Sequence, residues 1–337
     1  MPFSLPRLRP IFPGVLLSLT LALAASFVAT TQGGPAVLYA LLLGMAFNFL
    51  ASDVRFAEGI AFASRSILRL GVALLGGRIT LAQISALGWH SLVGIAAAVV
   101  ITIGVGLFAA KALGLRQRFG ILSAGATAIC GASAAAAISA VLPRYPNHER
   151  DTAFTIIGVT TLSTVAMVLY PVLARAFGFD ATDTGIFLGG TIHDVAQVVG
   201  AGYSVGHETG DTATIIKLWR VALLVPTVVG IALLVRFIPP RDTLEDDGAA
   251  AKTPPLVPMF LLGFIAIVML NSLGFVPAWA GAMMGDASRW CITLSIAALG
   301  VKTSLQALAK VGGRAVGLMV FETVLLLALV VILLKYV

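Results

Sequence analysis

The stretch GILSAGATAICGASAAAAISAVL occupies residues 120–142 and is long and apolar enough to reach across a bilayer. Its middle nevertheless contains Thr127, Cys130, Gly131 and Ser133. A glycine inside a helix costs about 1 kcal/mol relative to alanine, and serine is a favoured residue at helix starts. The pattern predicts that one helix ends near Gly131 and that a new helix begins beside Ser133.

A helix that begins inside the membrane points free amide groups and the positive end of its dipole at the protein interior. Such an end can bind an anion without a buried formal charge. The competing interpretation is close helix packing, because small residues are enriched at contacts between membrane helices. Residues 120–142 alone leave both interpretations open.

A second stretch, GIFLGGTIHDVAQVVGAGYSV at 185–205, places His193, Asp194 and Gln197 at membrane depth. An aspartate at the centre of a membrane helix costs about 2.5–3.5 kcal/mol by insertion scales. Side chains of this kind are by default candidates for a functional site. The alternative is a network of hydrogen bonds between helices with no ligand.

On a continuous helix, His193 and Gln197 would share a stripe with Gly189 and Gly200. Histidine can donate to an anion or carry a proton near neutral pH, and glutamine can donate through its amide. Asp194 is better suited to carry a proton or to pair with a buried cation. We therefore expect His193 and Gln197 to contact the anion.

Four basic residues are candidate partners for Asp194. Lys217 and Arg220 lie early in the following apolar segment, while Arg65 and Arg69 lie far upstream. Ionisable groups inside membrane segments usually pair with one another or with backbone carbonyls.

The composition identifies the class of protein. The chain has 337 residues, of which 59% are hydrophobic and 11% charged, with a mean hydropathy of +1.01. These values indicate an all-α, polytopic membrane protein. The net charge of +7 comes from Lys and Arg scattered at span ends, so we expect the bilayer, and no nucleic acid, as the partner. Cys130 and Cys291 support neither a disulfide framework nor a metal site, and we expect no cofactor.

Apolar windows predict about eleven transmembrane helices, with inverted repeats and discontinuous helices near the midplane. We divide the chain into an N-terminal membrane region (1–238), a cytoplasmic linker (239–258) and a C-terminal membrane region (259–337), which together form one integral membrane domain. The linker contains clustered acids and five prolines, a composition that cannot bury a core. The predicted spans are 11–30, 35–51, 58–77, 89–110, 119–142, 152–177, 184–205, 212–237, 256–275, 287–304 and 313–335.

The charges predict a cytoplasmic N-terminus and, because the number of spans is odd, a C-terminus outside. Arg7 and Arg9 precede the first span, and Lys111 follows the fourth. The segment 143–151 does not fit, because it contains two arginines on the predicted outer side.

The sequence contains an internal repeat. A shift of 224 positions pairs ASR at 63–65 with ASR at 287–289. These segments lie seven predicted spans apart, and an odd offset means opposite orientation, as in inverted-repeat transporters. Arg65 and Arg289 would then neutralise an anion from two symmetric sides, unless they lie at the two membrane interfaces. Further matched pairs are Leu70 with Leu294, Arg78 with Lys302, and Gly88 with Gly312.

Four segments resemble the YeiH-like family of bacterial inner-membrane proteins, whose usual description is sulfate exporter. The family is also akin to sodium/proton antiporters and bile-acid symporters, which implies inverted repeats and two broken helices that cross at mid-membrane. The resembling segments are GATAICGASAAAA at 125–137, GGTIHDVAQVVGAG at 189–202, ASRSILRLGVALLG at 63–76 and TIIKLWRVALLVP at 214–226.

Carried over by position, the resemblance implies binding roles for seven residues of the two central motifs. The adjacent acidic pair typical of many sodium/proton antiporters is missing, and His193-Asp194 is the nearest chemical equivalent. This difference favours an anion as the substrate. The implied residues are Thr127, Cys130, Gly131, Ser133, His193, Asp194 and Gln197.

We therefore expect a secondary transporter of the bacterial inner membrane that exports a small oxyanion, sulfate or a related sulfur anion, coupled to protons or to the membrane potential. No ATP-binding motif is present. The first alternative is a cation/proton antiporter centred on Asp194. An enzyme using Cys130 or His193 ranks lower, because the sequence shows no recognisable set of a nucleophile, a base and a group that orients the base. We therefore expect no enzymatic activity. The sequence leaves open whether the protein forms a homodimer.

Overall fold

The computed structural model describes residues 10–33, 36–143, 145, 147–235, 259–302 and 313–336. Every regular element among them is helical, which confirms the all-α membrane class. Among the described residues, five helical segments are long and apolar enough to cross a membrane, and one of them, His207–Leu234, combines two of the helices given below. The predicted linker 239–258 lies outside the described residues. The α-helices are α1 Phe12–Gln32, α2 Ala36–Ala46, α3 Val54–Phe62, α4 Leu68–Leu75, α5 Leu81–Ala86, α6 Gly88–Ala112, α7 Gln117–Ala128, α8 Ala132–Val141, α9 His148–Ala176, α10 Ala181–Thr191, α11 Val195–Val205, α12 His207–Ala222, α13 Leu224–Val235, α14 Met259–Ser272, α15 Ala278–Lys302 and α16 Gly313–Tyr336.

Local chemistry explains several helix ends. Asp53 begins α3 by accepting from the Arg55 amide, and Asp180 begins α10 by accepting from the Asp183 amide. Thr80 begins α5 with a capping box. A five-residue π-helical turn, Ala63–Ile67, joins α3 to α4. The chain is therefore helical without interruption from the start of α3 to the end of α4.

The two stretches singled out in the sequence are helical hairpins. Helices α7 and α8 fold back on each other so closely that Ile138 leaves no room for a Cβ on Gly125. Arg116, just before α7, lies 5.5 Å from the ring of Tyr145, which follows α8. The chain therefore leaves this first hairpin at the end where it entered. The predicted break near Gly131 is confirmed, with Gly131 as the N-cap of α8 and Ser133 in its first turn.

The second hairpin consists of α10 and α11. Thr209 Oγ1, just after α11, donates to the Ala181 carbonyl at 3.0 Å, and Thr182 Oγ1 donates to Glu208 at 3.2 Å. The start of α10 therefore lies beside the end of α11. The prediction of one continuous helical stripe through His193 and Gln197 is wrong, because the helix is interrupted between Thr191 and Val195.

The hairpins also change the predicted path through the membrane. Segments 119–142 and 184–205 were each predicted as one span, but each turns back to the side from which it came. Tyr145 then lies at the same end of the bundle as Arg116. The segment that follows α8 therefore returns to the side of Arg116, and it no longer conflicts with the predicted distribution of basic residues. The orientation of the chain in the membrane stays a prediction.

The helix bounds follow the repeat found in the sequence. Adding 224 to α2, to the α3–α4 segment and to α6 gives 260–270, 278–299 and 312–336, which match α14, α15 and α16. Ser288 on α15 donates to the Gly71 carbonyl on α4 at 2.6 Å. A Cβ on Gly71 would meet Cys291, and one on Gly285 would meet Arg78. Residue numbers rise along one helix as they fall along the other, so the two repeat copies are antiparallel.

The outer surface is apolar, as a lipid-facing surface should be. Val100 and Phe108 on α6 have exposed fractions of 70% and 69%, and Phe27 on α1 has 68%. Buried hydroxyls bond to carbonyls of their own helix, as in the 2.7 Å bond from Thr102 to Ala98. Such bonds satisfy polar groups where water is absent.

Candidate functional site

The tips of the two hairpins have the same layout, 63 residues apart. Ile129 ends α7 and Gly131 begins α8; Ile192 ends α10 and Asp194 begins α11. The Asp194 carboxylate accepts from the Ala196 amide at 2.8 Å. Each tip therefore has one negative helix end, where α7 or α10 stops, and one positive helix end, where α8 or α11 starts.

Lys217 joins the two tips. It is fully buried on α12, and its Nζ donates to the carbonyl oxygens of Ile129 at 2.6 Å, Ile192 at 3.0 Å and His193 at 2.5 Å. All three donors of the ammonium group are used in this way. Lys217 therefore binds both hairpins at once.

Arg220 has the same role one turn further along α12 and is also fully buried. Its donors reach the carbonyl oxygens of Ala128 at 2.9 and 2.6 Å, Thr127 at 3.0 Å, Gly189 at 2.9 Å and Ile192 at 3.0 Å. These carbonyls lie at the C-terminal ends of α7 and α10, where helices leave acceptors without partners.

These bonds revise the expected pairing of Asp194. Across the described part of the chain, no Lys or Arg nitrogen lies within 4.0 Å of an Asp194 oxygen. Lys217 and Arg220 bind backbone carbonyls instead. Backbone acceptors at helix ends carry partial negative charge, so they satisfy a buried cation as a carboxylate would.

The positive helix ends face a cavity of about 390 Å³. The starts of α8 and α11 line this cavity, together with three basic side chains from the α3–α4 segment and α15. Among the described residues, the lining contains one carboxylate, that of Asp194. The polar and charged lining residues, with Cys130, are Ser64, Arg65, Arg69, Cys130, Ser133, Thr160, Thr161, Asp194 and Lys302.

Part of the predicted site lies in this cavity. Cys130, Ser133, Asp194 and Arg65 line it, and Gly131 forms the adjoining tip. Arg289 does not, because it lies at a second cavity described below. The tip residues were identifiable from the sequence, since they interrupt an apolar segment.

Thr127, His193 and Gln197 lie behind the tips with no exposed surface. His193 Nδ1 donates to the Thr127 carbonyl at 2.9 Å, and Nε2 lies 3.1 Å from Thr323 Oγ1. Gln197 Nε2 donates to Thr164 at 2.7 Å. The expectation that His193 and Gln197 face the anion is corrected by this geometry, because their donors bind neighbouring helices.

Glu322 on α16 is a carboxylate in an apolar helix, where such a group either snorkels to the interface or bonds to neighbouring helices. It has no exposed surface and accepts from Ser123 at 2.7 Å, and Thr127 Oγ1 lies 3.5 Å away. Within the described ranges, no Lys or Arg nitrogen lies within 4.0 Å of it. Glu322 therefore ties α16 to the first hairpin, and snorkelling is excluded.

Other lining residues were missed. Lys302 appeared in the sequence only as the repeat partner of Arg78, and Thr160 and Thr161 gave no signal within an apolar segment. The described residues contain no group of three or more His, Cys, Asp and Glu side chains able to hold a metal ion.

Gly131 allows a direct test of the first tip. Its φ of 63° and ψ of −123° lie where residues with a Cβ are strained. A Cβ there would meet nothing closer than the His193 carbonyl oxygen, at 3.6 Å. We expect Gly131→Ala to lower the stability of the folded protein by about 1–3 kcal/mol through backbone strain, measured as thermal unfolding in detergent.

The matched control is Gly317→Ala, in the interior of α16, where a Cβ has nothing within 4 Å. That change should be neutral or stabilising, because alanine favours a helix by about 1 kcal/mol. Equal stability of the Gly131 variant and the native chain would contradict the strained tip.

Three comparisons relate this chain to known proteins. The family model described as "Conserved hypothetical protein 698" matches residues 13–319. The UPF0324 membrane protein TauZ of Paracoccus pantotrophus is 53% identical over 94% of this chain and 92% of its own length. UPF0324 membrane proteins of Chlorobaculum tepidum (52% identity; 95% of this chain, 88% of the relative) and Rhizobium meliloti (48%; 92% and 89%) are also similar. No solved structure matches the chain.

Proposed function

The chain belongs to the UPF0324 membrane proteins, the YeiH-like family indicated by its motifs, and on that premise we propose that it is a secondary transporter of a small oxyanion. The observation that carries the proposal is the cavity at the hairpin tips. Two positive helix ends and three basic side chains surround it, against one carboxylate. This balance of charge favours an anion.

The chemistry of the lining suits an oxygen-rich anion. Amide groups at the starts of α8 and α11, the Ser133 hydroxyl and the Arg65 guanidinium are all hydrogen-bond donors. A helix start contributes about 0.3–1 kcal/mol to binding an anion, and up to about 2 when partly buried. A hydrogen bond from a charged donor adds about 1.5–3 kcal/mol. Sulfate or a related sulfur anion fits these donors and the family resemblance.

The architecture supports alternating access. Antiparallel repeat copies and interrupted helices that meet at a central site are features of secondary transporters. The two hairpins are bound together at their tips through Lys217 and Arg220. We propose that they move as one unit against the other helices, and that the direction of transport is outward.

Coupling is assigned to Asp194, the carboxylate of the cavity wall. A cation/proton antiporter centred on Asp194 is the second candidate, because this carboxylate is accessible from the cavity. Arg65, Arg69 and Lys302 disfavour it, since they would repel a cation. We propose no enzymatic activity: Cys130 lies in the cavity, but both ring nitrogens of His193 are engaged elsewhere.

We propose a location in the bacterial inner membrane, with a cytoplasmic N-terminus and the C-terminus outside. Because the first hairpin turns back, Arg116 before it and Tyr145 after it lie at the same end of the bundle, and we propose that the basic residues of 111–118 and Arg150 at the start of α9 share the cytoplasmic side, in agreement with the positive-inside rule.

The test is uptake of radiolabelled sulfate by proteoliposomes that contain the full chain. Arg65→Gln should raise the half-saturation concentration about tenfold or more, the effect of losing one charge-assisted hydrogen bond. The control is Arg55→Gln, which changes a side chain that is 79% exposed and paired with Asp53. Absence of sulfate flux in the native protein would rule out this substrate, and equal behaviour of both variants would rule out the cavity as its site.

A further inference from the structure

A second basic cavity, of about 520 Å³, lies beside the contact between α4 and α15. Arg78, Ser288 and Arg289 line it, together with Tyr203 and His207 from the second hairpin and α12. Part of α1 and the start of α2 complete the wall. None of these residues lines the first cavity, so the anion site proposed there does not account for them.

The internal repeat relates the two cavities. The shift of 224 positions pairs Ser64 with Ser288 and Arg65 with Arg289. It also pairs Arg78 with Lys302. The first cavity is lined by Ser64, Arg65 and Lys302, and the second by their repeat partners. Each cavity therefore takes a serine and an arginine from one copy and a basic residue from the other.

The antiparallel packing of the copies places these cavities towards opposite ends of the bundle. Lys302 ends α15 and lines the first cavity, while Arg78 follows α4 and lines the second. Arg78 lies against Gly285, in the first third of α15. A two-fold operation that exchanges α4 and α15 therefore exchanges the cavities as well.

The charges of the second cavity also suit an anion. The Arg289 side chain is 59% exposed, and its ion-pair partner Asp286, at 3.0 Å, is 70% exposed. Such an exposed pair holds a guanidinium weakly. The Tyr203 hydroxyl, whose ring lines the cavity, donates to Asp211, which leaves the carboxylate already hydrogen-bonded. Among the described lining residues, Arg78 and Arg289 are therefore the permanently charged donors that an anion can reach.

We infer that the second cavity is an anion-binding vestibule, which receives the same class of oxyanion from the opposite side of the membrane. The inference deepens the proposed function and rests on it. Arg289 and Arg78 take the places that Arg65 and Lys302 have in the first cavity. The hairpin tips, which now face the first cavity, would face the second in the alternate state.

The first measurement is the half-saturation concentration for radiolabelled sulfate from each side, in right-side-out and inside-out membrane vesicles with the full chain. Arg289→Gln and Arg78→Gln should each raise it about tenfold on one side. Arg65→Gln should raise it on the other side only. The control is Arg175→Gln, which changes an exposed arginine outside both cavities. Equal effects of Arg289→Gln on the two sides, or no effect, would overturn the inference.

The second measurement separates this inference from the proposed function. In a background without Cys130 and Cys291, Ser133→Cys and Thr30→Cys are treated with a membrane-impermeant, negatively charged thiol reagent; Thr30 is exposed and lines the second cavity, and its replacement leaves Arg78 and Arg289 in place. Labelling that comes from opposite sides and that sulfate slows at both positions supports two vestibules. Labelling from the same side, or no slowing at Thr30→Cys, overturns the inference even if the native protein transports sulfate. If the protein shows no sulfate flux but the labelling is still side-specific and slowed by sulfate, the transport proposal is wrong and the second anion site is supported.

Discussion

Replacing Arg220 with methionine should remove most of the folded protein from the membrane. Its guanidinium makes five hydrogen bonds to four carbonyl oxygens on both hairpins. Methionine fills similar space and donates nothing. The Thr127 and Ile192 carbonyls keep His193 and Lys217 as donors, so the substitution leaves the Ala128 and Gly189 carbonyls without the donor that Arg220 supplied. Each buried acceptor left without a partner costs about 1–3 kcal/mol, and a loss of several kcal/mol is a large part of the about 5–15 kcal/mol that stabilises a typical protein.

The measurement is the yield of monodisperse protein in mild detergent together with its thermal midpoint. A loss of several kcal/mol shifts the midpoint by more than about 10 °C at roughly 2–4 °C per kcal/mol. Arg220→Lys should be intermediate, because it keeps the charge but loses the planar fork that reaches several carbonyls. Arg175→Met is the exposed control. A midpoint for Arg220→Met close to that of this control would contradict the role of Arg220.

Replacing Asp194 with asparagine should separate the two candidate functions. The asparagine oxygen can still accept from the Ala196 amide, so α11 keeps its cap. The change removes the carboxylate from a cavity that retains three basic side chains, those of Arg65, Arg69 and Lys302. An anion transporter should still carry sulfate, while the stimulation of flux by a proton gradient falls by about tenfold or more, as for loss of an essential proton carrier.

A cation/proton antiporter predicts the opposite result, in which Asp194→Asn abolishes proton-linked cation exchange. The matched control is Asp180→Asn, an N-cap aspartate at the start of α10 that accepts from the Asp183 amide at 2.7 Å outside the cavity. Flux should be followed in proteoliposomes with and without an imposed pH gradient. Sulfate flux that keeps its full response to the gradient in Asp194→Asn would exclude Asp194 as the coupling group.

The sequence was informative where a residue conflicts with its surroundings. Gly131 in an apolar span and Asp194 at membrane depth both violate the simplest pattern for a lipid-facing helix, and both mark helix interruptions. The repeat was visible because basic residues in apolar segments are rare enough to align. The structure extends it to whole helices, such as α6 with α16.

The sequence was misleading about polar groups whose partners are backbone atoms. His193 looked like a ligand-binding residue, yet its Nδ1 donates a hydrogen bond to the Thr127 carbonyl. Lys217 and Arg220 looked like partners of a carboxylate, yet they bind carbonyls at the ends of α7 and α10. The unpaired carbonyls at a helix end belong to the backbone and do not depend on residue type, so the sequence does not show where they need hydrogen-bond donors. They become apparent only in the folded hairpins.

Composition and periodicity by themselves determined the membrane class, the helical content, the repeat and the break at Gly131, whereas the break before Asp194 came from the structure. Only the tertiary structure decided that each broken segment turns back as a hairpin, and which polar residues line a cavity. The physical reason is that hydropathy reflects the depth in the membrane at which a residue is stable. A helix that crosses the membrane and a hairpin that enters and returns can therefore have the same hydropathy. Direction and partner depend instead on contacts between distant residues, such as Arg116 with Tyr145 and Lys217 with Ile129.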